Sequence, residues 1–100
     1  MTRRIVLRPA ARTDIDAAAA WLEERSPRAA ARFWRAVDQT LQRIRENPLQ
    51  YQRVIGSARR APLRRFRYAL FYFVTEDEVV VVACMHGSRD PERWQERIPE

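Results

Sequence analysis

Two neighbouring segments of this chain, Tyr68–Thr75 and Glu78–His86, are apolar at nearly every position. Their length and their β-branched and aromatic content predict two strands, and the polar turn at 75–78 joins them as a hairpin. An antiparallel sheet with one face in water alternates apolar and polar residues, and these two strands do not. The hairpin therefore predicts a sheet that is buried on both faces.

Strict alternation assigns the residues of this hairpin to two faces. The first strand divides into two sets, which are Tyr68, Leu70, Tyr72 and Val74, and Ala69, Phe71 and Phe73. The second strand divides likewise into Val79, Val81, Ala83 and Met85, and Val80, Val82, Cys84 and His86. One layer of helices covers one face only. The other face must be covered by the end of the chain through Trp94, by a second copy or by a different protein.

The rest of the chain predicts two short strands and two helices ahead of this hairpin, and one helix after it. Ile5–Leu7 is a first strand, and 61–65 is another. Apolar residues at helical spacing predict helices over 13–25 and 27–46, and the Asp-Pro step at 90–91 starts a short closing helix. The expected fold is α+β, with an N-terminal strand, an antiparallel helix hairpin packed on a small, mostly antiparallel sheet, and a short C-terminal helix. All 100 residues form a single domain.

Polar residues predict where the two long helices begin, and two tryptophans lie along them. Thr13 starts the first helix as an N-cap, with Asp14 in the positively polarised first turn. Ser26–Pro27 combines a serine cap with a proline at the first helical position and starts the second helix. Trp21 and Trp34 either pack one helix against the other or, where they are exposed, mark a protein interface.

Charge and composition narrow the partners. All of the 19 basic residues are arginine, and the formal net charge is +6. Such a balance favours a polyanionic or acidic partner, although a merely soluble basic domain has it too. Scattered carboxylates with one histidine and one cysteine lack the spacing of a metal site, so no metal or cofactor is expected. No membrane-spanning run is present, and the lone Cys84 favours a reducing, cytoplasmic location.

Arginines around the hairpin and the single histidine are the candidates for chemistry: Arg64, Arg65, Arg67, His86 and Arg89. On a regular strand Arg65 and Arg67 point the same way and cradle a phosphate. A solvated edge strand carries similar charge to prevent unwanted pairing. His86 is the only side chain that titrates near neutral pH, which suits a general acid or base. A structural histidine at the end of a strand is the alternative.

The helix pair, the segment PLRRFRYALFYF, the acidic turn and VVVVACMHGSRDPERW together resemble the RelE/ParE superfamily of toxins from type II toxin–antitoxin pairs. The most specific parts are the arginine and aromatic pattern over 65–72 and the strand end over 86–90. The resemblance implies a small basic toxin that is silenced by an antitoxin encoded beside it. An acidic, partly apolar antitoxin arm would also cover the apolar sheet face. The implied antitoxin contacts are Tyr68, Leu70, Tyr72 and Trp94.

The superfamily divides by target. RelE-like members cut messenger RNA on the ribosome, and ParE-like members poison DNA gyrase. RelE-like nucleases have lysines in the basic patch and a reactive aromatic hydroxyl near the C-terminus, whereas this chain has no lysine and no tyrosine after His86. A guanidinium is a poor proton shuttle. The resemblance therefore implies a gyrase-directed toxin of the ParE branch, with a metal-independent endoribonuclease as the alternative. In that alternative His86, Arg65, Arg67 and Arg89 would be the catalytic candidates.

Overall fold

A five-stranded sheet carries two helices on one face, in the strand order β1-β5-β4-β3-β2. The computed structural model describes residues 3–87 and 94–98. The elements in chain order are β1 Arg4–Leu7, α1 Pro9–Arg25, α2 Pro27–Glu46, β2 Arg53–Ile55, β3 Ala58–Pro62, β4 Tyr68–Val74, β5 Glu78–His86 and a 3-10 turn Gln95–Arg97. The predicted α+β architecture is confirmed.

β5 is the inner strand that joins β1 to the antiparallel part of the sheet. It pairs in parallel with β1 and in antiparallel with β4. The register between β4 and β5 shifts by one residue, because Phe71 lies opposite Ala83 while Tyr72 lies opposite Val81. Val82 is thus the extra residue of a β-bulge, and a bulge breaks strict alternation.

This bulge corrects the predicted division of β5 into two faces. Val79 and Val81 pack toward the helices as expected. Beyond the bulge Cys84 joins them, while Ala83 and Met85 lie with the residues of the second face. The prediction that Ala83 and Met85 share the face of Val79 was therefore wrong. The consequence for the surface is that His86, two residues beyond Cys84, reaches the rim of the helix-covered face.

The junction between α1 and α2 lies where the capping signals predict it. Ser26 ends α1 and caps α2, and its hydroxyl accepts a hydrogen bond of 3.1 Å from the N–H of Ala29. The predicted start of α1 at Thr13 was wrong. Pro9 occupies the first helical position instead, where its missing N–H costs nothing, and the N–H of Arg12 already donates to the carbonyl of Arg8.

Trp94 covers the second face of the sheet. It is 1% exposed, and its ring centroid lies 4.1 Å from that of Phe71. Phe73, Val80 and Val82 complete the same cluster. The prediction that the end of the chain covers this face through Trp94 is confirmed. The start of the predicted closing helix, at 90–91, lies outside the described residues.

The short strand predicted at 61–65 lies three residues earlier, at Ala58–Pro62. Ala58 and Ala61 are its buried residues, and they face opposite sides of the sheet. Gly56, at a φ of 52°, supplies the left-handed residue of the turn between β2 and β3. Neither of the two long helices in the described part of the chain has the length and hydropathy to cross a membrane.

Candidate functional site

The segment 63–67, which holds three of the candidate arginines, is a turn. The N–H of Leu63 donates to the carbonyl of Tyr68 at 2.9 Å and closes the β3–β4 hairpin. Arg65 has a φ of 69°, and among the described residues it is the only non-glycine residue with a positive φ. The prediction that Arg65 and Arg67 point the same way along a regular strand was therefore wrong, because the segment is a turn in which Arg65 has a left-handed backbone.

Arg64 and Arg65 lie across from two arginines of α2. With Arg32 and Arg35 they line an open groove of about 560 Å³, together with Gln39, Ala36 and Phe66. These four arginines define the arginine groove. Among the described residues none of the four forms an ion pair with a carboxylate. The groove therefore brings four arginine side chains together without a carboxylate partner among the described residues, and such a surface attracts anions.

Arg67 and His86 line a different groove, of about 360 Å³, with Arg60, Pro62, Phe66, Tyr68 and Gly87. His86 lies opposite Tyr68 in the sheet, and the two rings meet edge to face at 5.3 Å. The N–H of Gly87 donates to the carbonyl of Arg67. Phe66 is the wall that this histidine groove shares with the arginine groove. Arg89 lies outside the described residues.

Three of the predicted antitoxin contacts lie inside the chain's own core. Leu70 and Tyr72 are fully buried beneath the helices, and Trp94 is buried on the second face. The hydroxyl of Tyr72 donates to the carbonyl of Pro48 at 2.5 Å. Only Tyr68, which is half-buried, reaches a groove. The chain thus covers its own apolar sheet, with the helices over Leu70 and Tyr72 and with Trp94 over the second face.

Trp21 and Trp34 place apolar side chains on the outer surface of the two helices, whereas the apolar faces of the sheet are buried. They are 51% and 37% exposed, so the alternative of an exposed interface fits Trp21, while Trp34 also packs across the helix pair, with the guanidinium of Arg12 6.0 Å from the centre of its ring. The guanidinium of Arg25 lies 3.7 Å from the centre of the Trp21 ring. Trp21 also borders a groove of about 500 Å³ that runs past Tyr68, Met85 and His86. This Trp21 groove joins apolar side chains with His86 and with the ion pair of Asp14 and Arg97.

Asp14 does not act on the first turn of α1 as predicted, because that helix begins five residues earlier. Its carboxylate accepts the backbone N–H of Cys84 at 3.1 Å and the guanidinium of Arg97 at 2.8 Å. Arg97 also donates to the carbonyl of Val82 at 2.9 Å. This network ties the 3-10 turn to β5 and α1. It satisfies the backbone next to the bulge, where the sheet pairing is irregular.

Two buried acidic protons make the stability of the fold sensitive to alkali. Burial raises the pKa of the Cys84 thiol from 9.0 to about 12, and the Asp14 carboxylate adds to the rise. Burial also raises the pKa of the Tyr72 phenol from 10.0 to about 12, against the opposing charge of Arg59. Both groups ionise first in the unfolded chain. Their contribution to stability is therefore full below pH 9 and is lost as the pH rises toward 12.

We expect the urea midpoint of unfolding to fall steadily between pH 9 and pH 11, and the fall to be shallower in Cys84→Ala. Arginine stays charged throughout this range, so loss of basic charge does not contribute. Urea titrations followed by circular dichroism at each pH measure the effect, with Cys84→Ala compared at pH 8 as its own reference. If Cys84→Ala and the double variant Cys84→Ala with Tyr72→Phe both keep the pH dependence of the parent protein, the assignment of the effect to these two groups is contradicted.

Fold and surface define a small basic α+β protein of the RelE/ParE-like class. The family model described as the ParE toxin of the type II toxin–antitoxin system parDE matches residues 5–91, and the chain belongs to this family. A solved structure described as the chromosomal ParDE TA system from P. aeruginosa has a similar fold. Its TM-score is 0.76 at 15% identity, over 85% of this chain and 96% of that chain. No curated protein matches the sequence significantly.

The sequence reasoning located some of the groove residues and missed others. Arg64 and Arg65 were candidates, but Arg32 and Arg35 were not. Their spacing of three residues on one helix face was the available signal. Among the described residues no three His, Cys, Asp or Glu side chains are grouped as ligands for a metal ion.

Proposed function

We propose that this toxin, when free in the cytoplasm, arrests growth by poisoning DNA gyrase, and that a cognate antitoxin neutralises it. One observation carries the proposal. The arginines predicted for an RNA-cutting site do not all lie together: Arg65 lines the arginine groove, whereas Arg67 and His86 line the histidine groove with Arg60 and Tyr68. General acid–base catalysis requires its groups within hydrogen-bond reach of one reacting centre. Two adjoining basic grooves that share the wall at Phe66 suit a protein that acts by binding.

Composition supports the same proposal. The chain has no lysine, and after His86 it has no tyrosine. Metal-free RNA cleavage would then rest on one histidine and on guanidinium groups that do not deprotonate. Membership of the ParE toxin family adds independent weight for the gyrase target.

The Trp21 groove is the surface that best suits the antitoxin. The solved structure similar in fold is described as a ParDE toxin–antitoxin system, which favours an antitoxin partner for this chain as well. An acidic, partly apolar arm would lay apolar side chains against Trp21 and Met85 and would place carboxylates near Arg25. Exposed tryptophan beside arginine is the composition typical of interface hot spots. We expect such an arm to become ordered as it binds.

Pulse-labelling after induction of this chain alone tests the target. We expect DNA synthesis to fall first, with protein synthesis following later, and co-expression of the adjacent antitoxin to prevent both. Translation that stops within minutes, with messages cut inside codons in primer extension, would overturn the gyrase proposal in favour of a ribosome-dependent nuclease. Normal synthesis of both DNA and protein at high soluble expression would mean that the chain binds its partner but poisons nothing.

His86→Ala in the same experiment separates binding from chemistry. Removing a general acid or base costs about 10²–10⁴-fold in rate, whereas removing one contact from a binding surface has a much smaller effect. We expect the inducer concentration that halves growth to rise by less than about tenfold. The control is the fold itself, which circular dichroism should show unchanged, because His86 borders the groove proposed for the antitoxin. Abolished toxicity in a folded variant would count against the proposal.

A further inference from the structure

We propose that the arginine groove binds the sugar–phosphate backbone of duplex DNA. This goes beyond gyrase poisoning, since it assigns a direct nucleic-acid contact to the toxin itself. The groove brings together Arg32, Arg35, Arg64 and Arg65, which lie on two separate elements. Such convergence is not a by-product of one charged helix, because the β3–β4 turn must fold against α2 to create it.

The groove continues as a row of donors along α2. Arg28, Arg32, Arg35, Gln39 and Gln42 follow one another at spacings of three or four residues, and all five are exposed. Such spacing places them on one face of the helix. At a rise of 1.5 Å per residue the row spans about 21 Å, the length of about six base pairs. Arginine and glutamine side chains both donate to phosphate oxygens.

The composition of the groove favours phosphates over an acidic protein. Among the described residues, Phe66 is its only large apolar side chain, and it is half-buried against the core. The two exposed tryptophans that a partly apolar peptide would seek, Trp21 and Trp34, do not line this groove. A groove of guanidinium groups with little apolar surface is typical of electrostatic binding to a backbone.

Duplex DNA fits this surface better than a single strand does. Proteins that bind single strands combine basic charge with exposed aromatic rings on which the bases stack. Here the one aromatic ring, Phe66, packs edge to face on Phe33 at 5.5 Å and is not free to stack. A straight row of donors matches the regular phosphate spacing of a duplex.

Salt dependence of duplex binding is the test. The full-length chain is titrated into a fluorescently labelled 20-base-pair duplex of arbitrary sequence, and anisotropy is measured from 50 to 200 mM salt. Four phosphate contacts contribute a slope of about −3.6 in log K against log salt, which is about a 150-fold loss of affinity over this range. No gyrase is present, so failure here is distinguishable from failure of the gyrase proposal.

The decisive variant is the double substitution Arg32→Gln and Arg35→Gln. We expect the slope contributed by the groove to become shallower, at about −1.8, so that the affinity falls only about 12-fold over the same salt range. Arg45→Gln with Arg53→Gln is the matched control, because it removes the same charge from exposed residues outside the groove. The control should keep the parent slope to within about 0.5.

Arg65→Gly gives a second variant that cannot fail through loss of the turn. Its φ of 69° is unfavourable for arginine and natural for glycine, so the substitution removes the charge while favouring the turn. We expect the slope to become shallower by about 1, without loss of thermal stability.

Three outcomes would overturn the proposal. Equal losses in the groove variant and the matched control would mean that net charge alone binds DNA. Tighter, groove-dependent binding of a 20-nucleotide RNA would assign the groove to single strands. Groove-dependent binding of a glutamate-rich peptide without duplex binding would assign it to an acidic protein.

Discussion

Replacing Trp94 by alanine should lower the free energy of unfolding by about 3–5 kcal/mol, as expected for removing a fully buried aromatic side chain. Trp94 is the largest fully buried side chain of the described residues, and it packs on Phe71 at a centroid distance of 4.1 Å. Without it, the second face of β4 and β5 is open to water. Most domains of this size have only about 5–15 kcal/mol of stability, so the variant should be close to unfolding at growth temperature.

Urea unfolding followed by far-ultraviolet circular dichroism measures this loss, and Trp21→Ala is the matched control. Trp21 is 51% exposed, so the control should lose no more than about 1 kcal/mol. Should the two variants lose similar stability, the end of the chain would not be what seals the second face. A partner protein would then be required to cover it.

The prediction that the sheet is buried on both faces was confirmed because its signal, an uninterrupted apolar run, was local and occurred in both strands. Seven consecutive residues of β4 and eight of β5 have no charged side chain. Such runs exclude a wet face whatever the rest of the chain does. The junction at Ser26 was predictable for the same reason, since capping depends on residues within one turn.

What failed depended on geometry that a linear pattern does not contain. The bulge at Val82 changes the face of every later residue of β5, and nothing in the run Val79–Cys84 distinguishes its position. The left-handed Arg65 turned a predicted strand into a turn, although arginine is not a residue that favours such a conformation. Pro9 begins α1 four residues before the predicted N-cap at Thr13.

The candidate site was predictable only in part, because it is tertiary. Arg64 and Arg65 are close in sequence, but Arg32 and Arg35 lie about thirty residues away and meet them only when the sheet folds against α2. Three of the predicted antitoxin contacts are buried in this fold. The apolar face that seemed to require a partner at Leu70 and Tyr72 is covered by the chain's own helices.

Phe33→Ala should also cost about 3–5 kcal/mol, and it should disturb both grooves at once. Phe33 is fully buried in α2, and Phe66 and Tyr68 each meet its ring edge to face at 5.5 Å. Phe66 walls both the arginine groove and the histidine groove, and Tyr68 contacts His86. The shape of the basic surface therefore depends on one aromatic side chain that no ligand touches.

Stability and binding should separate in a conservative pair of variants. Phe33→Leu keeps most of the apolar volume and should recover most of the stability, yet it cannot reproduce the two edge-to-face contacts, each worth about 0.5–1.5 kcal/mol. Trp34→Ala, on the same helix but 37% exposed, should cost no more than about 1 kcal/mol. If Phe33→Leu binds its targets like the parent protein, the aromatic cluster serves only to fill the core. If it is stable but binds weakly, the aromatic cluster positions the β3–β4 turn and thereby determines the shape of both grooves.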